Sequence, residues 1–203
     1  MRDNNHCPLP RSFYQQDGLA LAQALLGKVL LRRVGEQVTG GRIIETEAYL
    51  GQQDPAAHSY KGNTRRTRIQ FGPGGYAYVY LIYGMHCCMN IVAGPEGTPH
   101  VVLLRALEPV AGLDWMCRRR HTDKKKNLCS GPGKLCQAMA IDRSCYGMDL
   151  LGEDLWLEDG PEIPREQIVA SKRIHIDYAG TAADWPYRFC VVGNPYLSAP
   201  AEN

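Results

Sequence analysis

Arg42-Ile-Ile-Glu-Thr-Glu-Ala-Tyr49 is the stretch on which the fold turns. Read with the twofold repeat of a β-strand, it puts Glu45, Glu47 and Tyr49 on one face and Ile44, Thr46 and Ala48 on the other. Upstream, Lys28 to Val34 is equally rich in β-branched and alternating apolar residues. Gly35-Glu-Gln and Thr39-Gly-Gly supply turn signals, so Lys28–Val34 and Gly41–Tyr49 are expected as successive antiparallel strands. Before them, Asp17-Gly-Leu-Ala-Leu-Ala-Gln-Ala-Leu-Leu-Gly27 reads as an amphipathic helix of about 10 residues, capped by Asp17 and stopped by Gly27.

Downstream, residues 51–75 lack apolar periodicity and carry Lys61, Arg65, Arg66 and Arg68; a loop this long inside a compact domain points to function or disorder. Order returns at Tyr76-Ala-Tyr-Val-Tyr-Leu-Ile-Tyr83, a strand with Tyr76, Tyr78 and Tyr80 on one face and Tyr83 out of register before Gly84. Further strands are expected at His86–Val92 and Val101–Leu107. A helix follows at Gly112–His121, then the charged run Arg118–Lys126, and a second helix runs from Ser130-Gly-Pro-Gly-Lys134 through Ala140. Short strands are read at Leu155–Leu157, Arg173–Ile176 and Arg188–Val192. No internal repeat or linker divides the chain. The class is α+β, a single mixed domain with one mostly antiparallel sheet flanked by helices.

With 203 residues, 44% hydrophobic and 22% charged, the chain can bury a sizeable core. Its longest aliphatic runs fall far short of the roughly 20 apolar residues that span a bilayer, and the polar stretch Met1–Pro10 has no apolar signal core. An intracellular location is the expectation. A net charge of +2 does not announce a polyanion, so any basic surface must come from placement. Eight cysteines include no Cys-x-x-Cys pair, and the nearest approach to a ligand set is His86-Cys87-Cys88, so buried free thiols are expected rather than a metal site. The His-x-Glu and Pro-Cys-x-x-Cys signature of zinc deaminases is absent.

Two carboxylates and a ring on one strand face suit acid and base chemistry, or simply an exposed polar face. The same pair is compatible with a glycoside hydrolase. Tyrosine outnumbers phenylalanine by 11 to 3, and a strand of tyrosines behind a cationic loop joins rings that stack on bases to cations that hold phosphates. Non-catalytic binding of damaged or single-stranded nucleic acid fits those features too. Ser130-Gly-Pro-Gly-Lys134 suits a backbone contact at a helix start, without the spacing of a Walker loop.

Six motifs, in order, resemble the alkyladenine (3-methyladenine) DNA glycosylase family: Glu45-Thr-Glu-Ala-Tyr49, Asp54-Pro-Ala-Ala-His-Ser59, Tyr78-Val-Tyr-Leu-Ile-Tyr-Gly-Met85, Met89-Asn90, Leu103-Leu-Arg-Ala-Leu-Glu-Pro109 and Ser130-Gly-Pro-Gly-Lys-Leu-Cys-Gln137. The match runs over about residues 11–197 of a domain expected to fill 1–203. The resemblance implies a curved antiparallel sheet, a monomer, and hydrolysis of the N-glycosidic bond of alkylated or deaminated purines in double-stranded DNA, without metal or organic cofactor. It implies that Glu47 is the general base and that Arg105 lies beside the catalytic water. Tyr49, His58 and Tyr80 would sandwich the flipped base, Asn90 would screen its edge against guanine, and Tyr83 would wedge into the duplex. Arg65, Arg66, Arg68 and Lys134 are expected on the DNA backbone. Glu45 receives no role. With no lysine at a nucleophile position, a monofunctional enzyme is expected.

Overall fold

The computed structural model describes residues 6–201; the first five residues of the polar amino terminus and the last two of the chain lie outside the described residues. β1 (Val29–Val34) turns at Gly35-Glu36 into β2 (Gln37–Tyr49), which is longer than expected. Thr39-Gly-Gly is therefore strand and not a turn. A Cβ on Gly40 would lie 2.9 Å from the Leu31 side chain, and one on Gly41 2.8 Å from Leu107, so close packing from both neighbouring strands demands glycine there.

β2 is the spine of the molecule. One of its edges runs along β5 (His100–Ala111); the other pairs with β1 over its first half and with β8 (Arg188–Val191) at Glu45–Glu47. With β3 (Ala77–Ile82), β4 (His86–Ala93) and β6 (Leu155–Glu158), the sheet runs β3-β4-β5-β2-β1-β6. A last strand, β7 (Ile168–Ser171), lies beside β8, and every pairing is antiparallel. The β2–β5 register slips between Ile43 and Thr46, a bulge that twists the strand where its carboxylates begin.

Four α-helices pack on this sheet: α1 (Arg11–Tyr14), α2 (Gly18–Ala24), α3 (Leu113–Arg120) and α4 (Pro132–Ala138). Asp17 caps α2 as expected, accepting from the N–H groups of Leu19 at 2.9 Å and Ala20 at 3.0 Å, a cap worth about 1 kcal/mol. The helix is seven residues long and ends before Gly27. Thr46 Oγ1 donates to the Ala22 carbonyl at 2.8 Å, tying α2 to the face of β2 opposite the carboxylates. Leu21, Leu25, Leu30, Ile43, Ile44 and Leu104 join the main core, each side chain contributing about 1.5–3 kcal/mol on burial.

The strand expected at Arg173–Ile176 does not form, and β7 lies just before it. The groups a strand would have used are engaged elsewhere. The Arg173 side chain is fully buried in an ion pair with Asp54, and the Ile174 N–H donates to Glu47. Among the described residues all eight cysteines are free; five are buried as expected, whereas Cys87 and Cys117 are half-buried and Cys7 is exposed. Burial pushes the thiols of Cys129 and Cys190 up to about 12, which keeps them protonated and inert. No described helix is long and apolar enough to cross a membrane, and no described group of three or more His, Cys, Asp or Glu side chains is arranged to hold a metal.

Candidate active site

Glu45 and Glu47 leave the same face of β2, as the alternation predicts, and both are completely buried. Arg105 reaches across from β5 between them. Its Nε lies 3.1 Å from Glu45 Oε1 and its Nη1 3.2 Å from Glu47 Oε1. Burial alone would favour losing the guanidinium proton, but Glu47 and Glu45 outweigh it and raise the Arg105 pKa, so the cation is secure.

The two carboxylates differ in what remains open to them. Glu45 Oε1 accepts from Arg105, from Arg188 Nε of β8 at 2.8 Å and from Ser198 Oγ at 2.7 Å; its Oε2 accepts from the Ser198 N–H at 2.7 Å. Saturated and sealed, Glu45 cannot act as the second carboxylate of a glycoside hydrolase. Glu47 accepts at Oε1 from the Ile174 N–H at 2.8 Å and at Oε2 from the Tyr49 hydroxyl at 2.8 Å. Burial first, then the Glu47 charge, holds the Tyr49 pKa well above that of a free phenol, so Tyr49 stays a donor.

Tyr49 forms part of the wall of a small cavity of about 40 Å³, together with Ala56, His58, Gln70, Tyr78, Tyr80, Asn90, Val101 and Tyr178. Five parts of the chain bring these residues together, with β5 supplying Val101 and the 3₁₀ segment Asp177–Asp184 supplying Tyr178. β2 delivers Tyr49, the β3–β4 pair delivers Tyr78, Tyr80 and Asn90, and the 51–75 loop delivers His58 and Gln70. That loop is ordered by two short 3₁₀ turns, Gly51–Gln53 and Arg68–Phe71, and by the Asp54–Arg173 ion pair. The Arg173 guanidinium also stacks on Tyr49, 4.7 Å from the ring centroid, and so backs the cavity wall. Asn90 donates through Nδ2 to the Tyr78 carbonyl at 3.2 Å and is nearly fully buried.

His58 stands edge-on to Tyr80, ring centroids 4.5 Å apart, with Nδ1 2.9 Å from the Tyr78 hydroxyl. The residue keeps an exposed flank, yet its ring is enclosed by these tyrosines and by Arg66. Burial first, then the Arg66 charge, lowers its pKa to about 4, so the imidazole is neutral at pH 7. Arg66 itself points into the site. Its Cζ lies 5.0 Å over the Tyr80 ring, Nη2 is 3.2 Å from His58 Nε2, and Nε donates to the Tyr78 hydroxyl at 3.2 Å.

The other expected residues surround this cavity without entering it. Tyr83 crowns the β3–β4 hairpin in a left-handed conformation, φ 52°, with 78% of its surface exposed beside the equally exposed Met85. Arg65 and Arg68 line a groove of about 730 Å³ with Arg66, Leu81, Arg143 and Tyr146, and Tyr80 is shared between groove and cavity. Lys134 lies in the first turn of α4, Nζ 3.5 Å from Ser130 Oγ; a Cβ on the preceding Gly133 would meet His86 at 3.2 Å, so this turn abuts the hairpin that carries Tyr83. The run Arg118–Lys126 is elsewhere. Arg119 donates to Ala138 and Thr39, tying α3 to α4 and to the far end of β2.

Sequence reasoning did not single out Gln70, Tyr178, Arg143, Arg188 or Ser198. Each lies outside any periodic segment or is brought in from a distant part of the chain, and only the position of Gln70 just after the cationic loop offered a local signal.

The model of the methylpurine-DNA glycosylase (MPG) family matches residues 12–195. The chain belongs to the methylpurine-DNA glycosylase family. This glycosylase is 50% identical over 196 residues to a protein of Anaeromyxobacter sp., covering 96% of this chain and 94% of the relative. It is 49% identical over 200 residues to one of Alkaliphilus oremlandii, covering 94% and 98% respectively. An archaeal protein, from Methanoculleus marisnigri, is 49% identical over 193 residues, covering 94% and 98%. All three carry the name "Putative 3-methyladenine DNA glycosylase". Membership makes the chain a DNA glycosylase, a hydrolase of DNA repair.

Proposed function

We propose that this glycosylase turns an alkylated or deaminated purine out of duplex DNA into the cavity walled by Tyr49, His58 and Tyr80, and hydrolyses its N-glycosidic bond with water activated by Glu47. The observation that carries the reading is the placement of Glu47. It is a buried carboxylate directly behind the cavity wall, with one oxygen accepting from the wall residue Tyr49 and the other between Arg105 and the Ile174 N–H.

In the reaction so read, the water oxygen bonds to C1′ of the sugar while the bond from C1′ to the purine nitrogen breaks and its electron pair leaves with the base. Glu47 takes the water proton. Its charge also stabilises the oxocarbenium character that builds on the sugar, an effect strengthened by exclusion of solvent. A purine alkylated on a ring nitrogen is cationic and leaves as a neutral base, and electron-rich Tyr49 and Tyr80 hold such a cation better than an undamaged purine. Asn90, fixed by its bond to Tyr78, stands at the purine edge as a steric screen.

A purine between two rings needs about 7 Å from ring to ring, two contacts of about 3.5 Å. His58 stands edge-on to Tyr80 and the Arg66 guanidinium covers the Tyr80 face, so base entry moves Arg66 off that ring. Arg65, Arg66, Arg68 and Lys134 then serve the DNA backbone, and Tyr83 fills the space the base has left. Extrusion costs a few kcal/mol, least at a poorly paired lesion, which favours damaged sites before chemistry begins. The enzyme so described works as an intracellular monomer that starts base excision repair.

The reading is tested by incubating the protein with duplexes carrying one 3-methyladenine, 7-methylguanine, hypoxanthine or ethenoadenine and analysing the products. Release of the free purine, leaving an intact strand with an abasic sugar, is the expected result. Tight, salt-sensitive binding without any free base, or strand cleavage coupled to base loss, contradicts it.

A further inference from the structure

Gln70 is fully buried in the wall of the cavity, and neither end of its side-chain amide has a hydrogen-bond partner. Among the described residues it is the only cavity-lining side chain in that condition. The amide lies close enough to the Tyr78 hydroxyl to influence it, yet no bond of ordinary geometry forms between them. A buried donor and acceptor left unmade are expensive, and most such groups in proteins find a partner. The cost here is not a consequence of looseness. Gln70 belongs to the Arg68–Phe71 turn, where its own N–H donates to the Thr67 carbonyl at 2.8 Å and the Gly72 N–H closes on Ile69 at 3.1 Å. A hydrogen-bonded turn thus holds an unpartnered amide at a pocket whose other walls are aromatic rings, the aliphatic Ala56 and Val101, and one already bonded asparagine.

We propose that Gln70 is a specificity-determining residue that reads the 6-position edge of the flipped purine. This rests on the cavity being the base site, as proposed above. A glutamine amide presents one donor and one acceptor side by side, the geometry that pairs bidentately with adenine. Against a 6-amino purine, the base N6–H donates to Gln70 Oε1 and Gln70 Nε2–H donates to ring N1. Rotating the amide by half a turn exchanges the two groups. Against a 6-oxo purine, Nε2–H then donates to O6 and the base N1–H donates to Oε1. One residue therefore serves both 6-amino and 6-oxo lesions, while a purine with hydrogen at position 6 satisfies only one end of it.

The test compares wild type with Gln70→Met, which keeps the side-chain length and removes both polar groups, and with Gln70→Leu as a second apolar variant. Single-turnover excision is measured on duplexes containing 3-methyladenine, hypoxanthine or purine unsubstituted at position 6, alongside thermal unfolding. We expect 3-methyladenine and hypoxanthine excision to fall about 10- to 100-fold, the value of a good bidentate pair, with unsubstituted purine much less affected and Tm unchanged or raised. An equal fall on all three substrates, or no fall on any, overturns the role of Gln70 while leaving the base site standing. A wild type that releases none of the three overturns the base-site reading and this inference with it.

Discussion

The guanidinium of Arg66 rests on the face of Tyr80 and bonds to His58, covering the ring on which the proposed flipped base would stack. The planar cation lies in the groove beside the cavity, and on the proposed reading the competent form must first release it from Tyr80, which lowers apparent affinity for the base. Arg66→Ala should therefore bind free ethenoadenine several-fold more tightly, read by its fluorescence. The same variant should bind duplex DNA more weakly, with a salt dependence reduced by about one ion, because a phosphate partner is lost. Weaker binding of both ligands would mean that Arg66 supports the pocket instead of covering it.

His58 carries a linked pH effect. Its pKa in the folded protein, about 4, lies below its ordinary value, so between those values the unfolded chain holds more protons than the native one. The stability associated with neutral His58 is present at pH 7 and is lost as pH falls from about 6.5 through about 4. NMR titration should show the imidazole titrating near 4, and higher in Arg66→Ala, though not at the free value because burial by the tyrosines remains the larger cause. A wild-type midpoint near 6.5 would contradict the closed arrangement.

Ser198 ties the end of the chain to Glu45 and, through Arg105, to Glu47. Ser198→Ala removes one bond to a buried carboxylate and should cost about 1.5–3 kcal/mol in urea unfolding. Glu45→Gln should cost more, about 3–5 kcal/mol, since it leaves Arg105 and Arg188 buried with less countercharge. Equal stability of both variants and wild type would remove the tail from the network.

Tyr83 stands exposed at the hairpin tip, where an aromatic side chain contributes little to folding. Tyr83→Ala should leave Tm within about 1 °C, as surface changes usually do, yet slow excision more from stable base pairs than from single strands. Equal slowing on both substrates would argue against a wedge.

Strand alternation placed Glu45, Glu47 and Tyr49 on one face correctly, and the period of two grouped Tyr78 with Tyr80, because both patterns are local. It misread Thr39-Gly-Gly as a turn, since the need for glycine comes from Leu31 and Leu107 on other strands. The strand expected at Arg173–Ile176 failed for a related reason: Glu47, 127 residues away, takes the Ile174 N–H that a ladder would have used. The motifs pointed to Glu47 and Arg105, which the fold brings within 3.2 Å of each other, but gave Glu45 nothing to do, because its partners Arg188 and Ser198 arrive from a distant part of the chain. Arg66 was legible as a cation but not as a cover on the Tyr80 ring. Gln70 had no signature beyond its place beside the loop cations, since an unsatisfied amide exists only once its surroundings do.

The central claim is that Glu47 activates the water. The most direct measurement is the single-turnover rate of hypoxanthine release by Glu47→Gln from a duplex the variant still binds. The account expects a fall of at least about 100-fold, the scale of a lost general base, with duplex affinity retained. Release at the wild-type rate would contradict it.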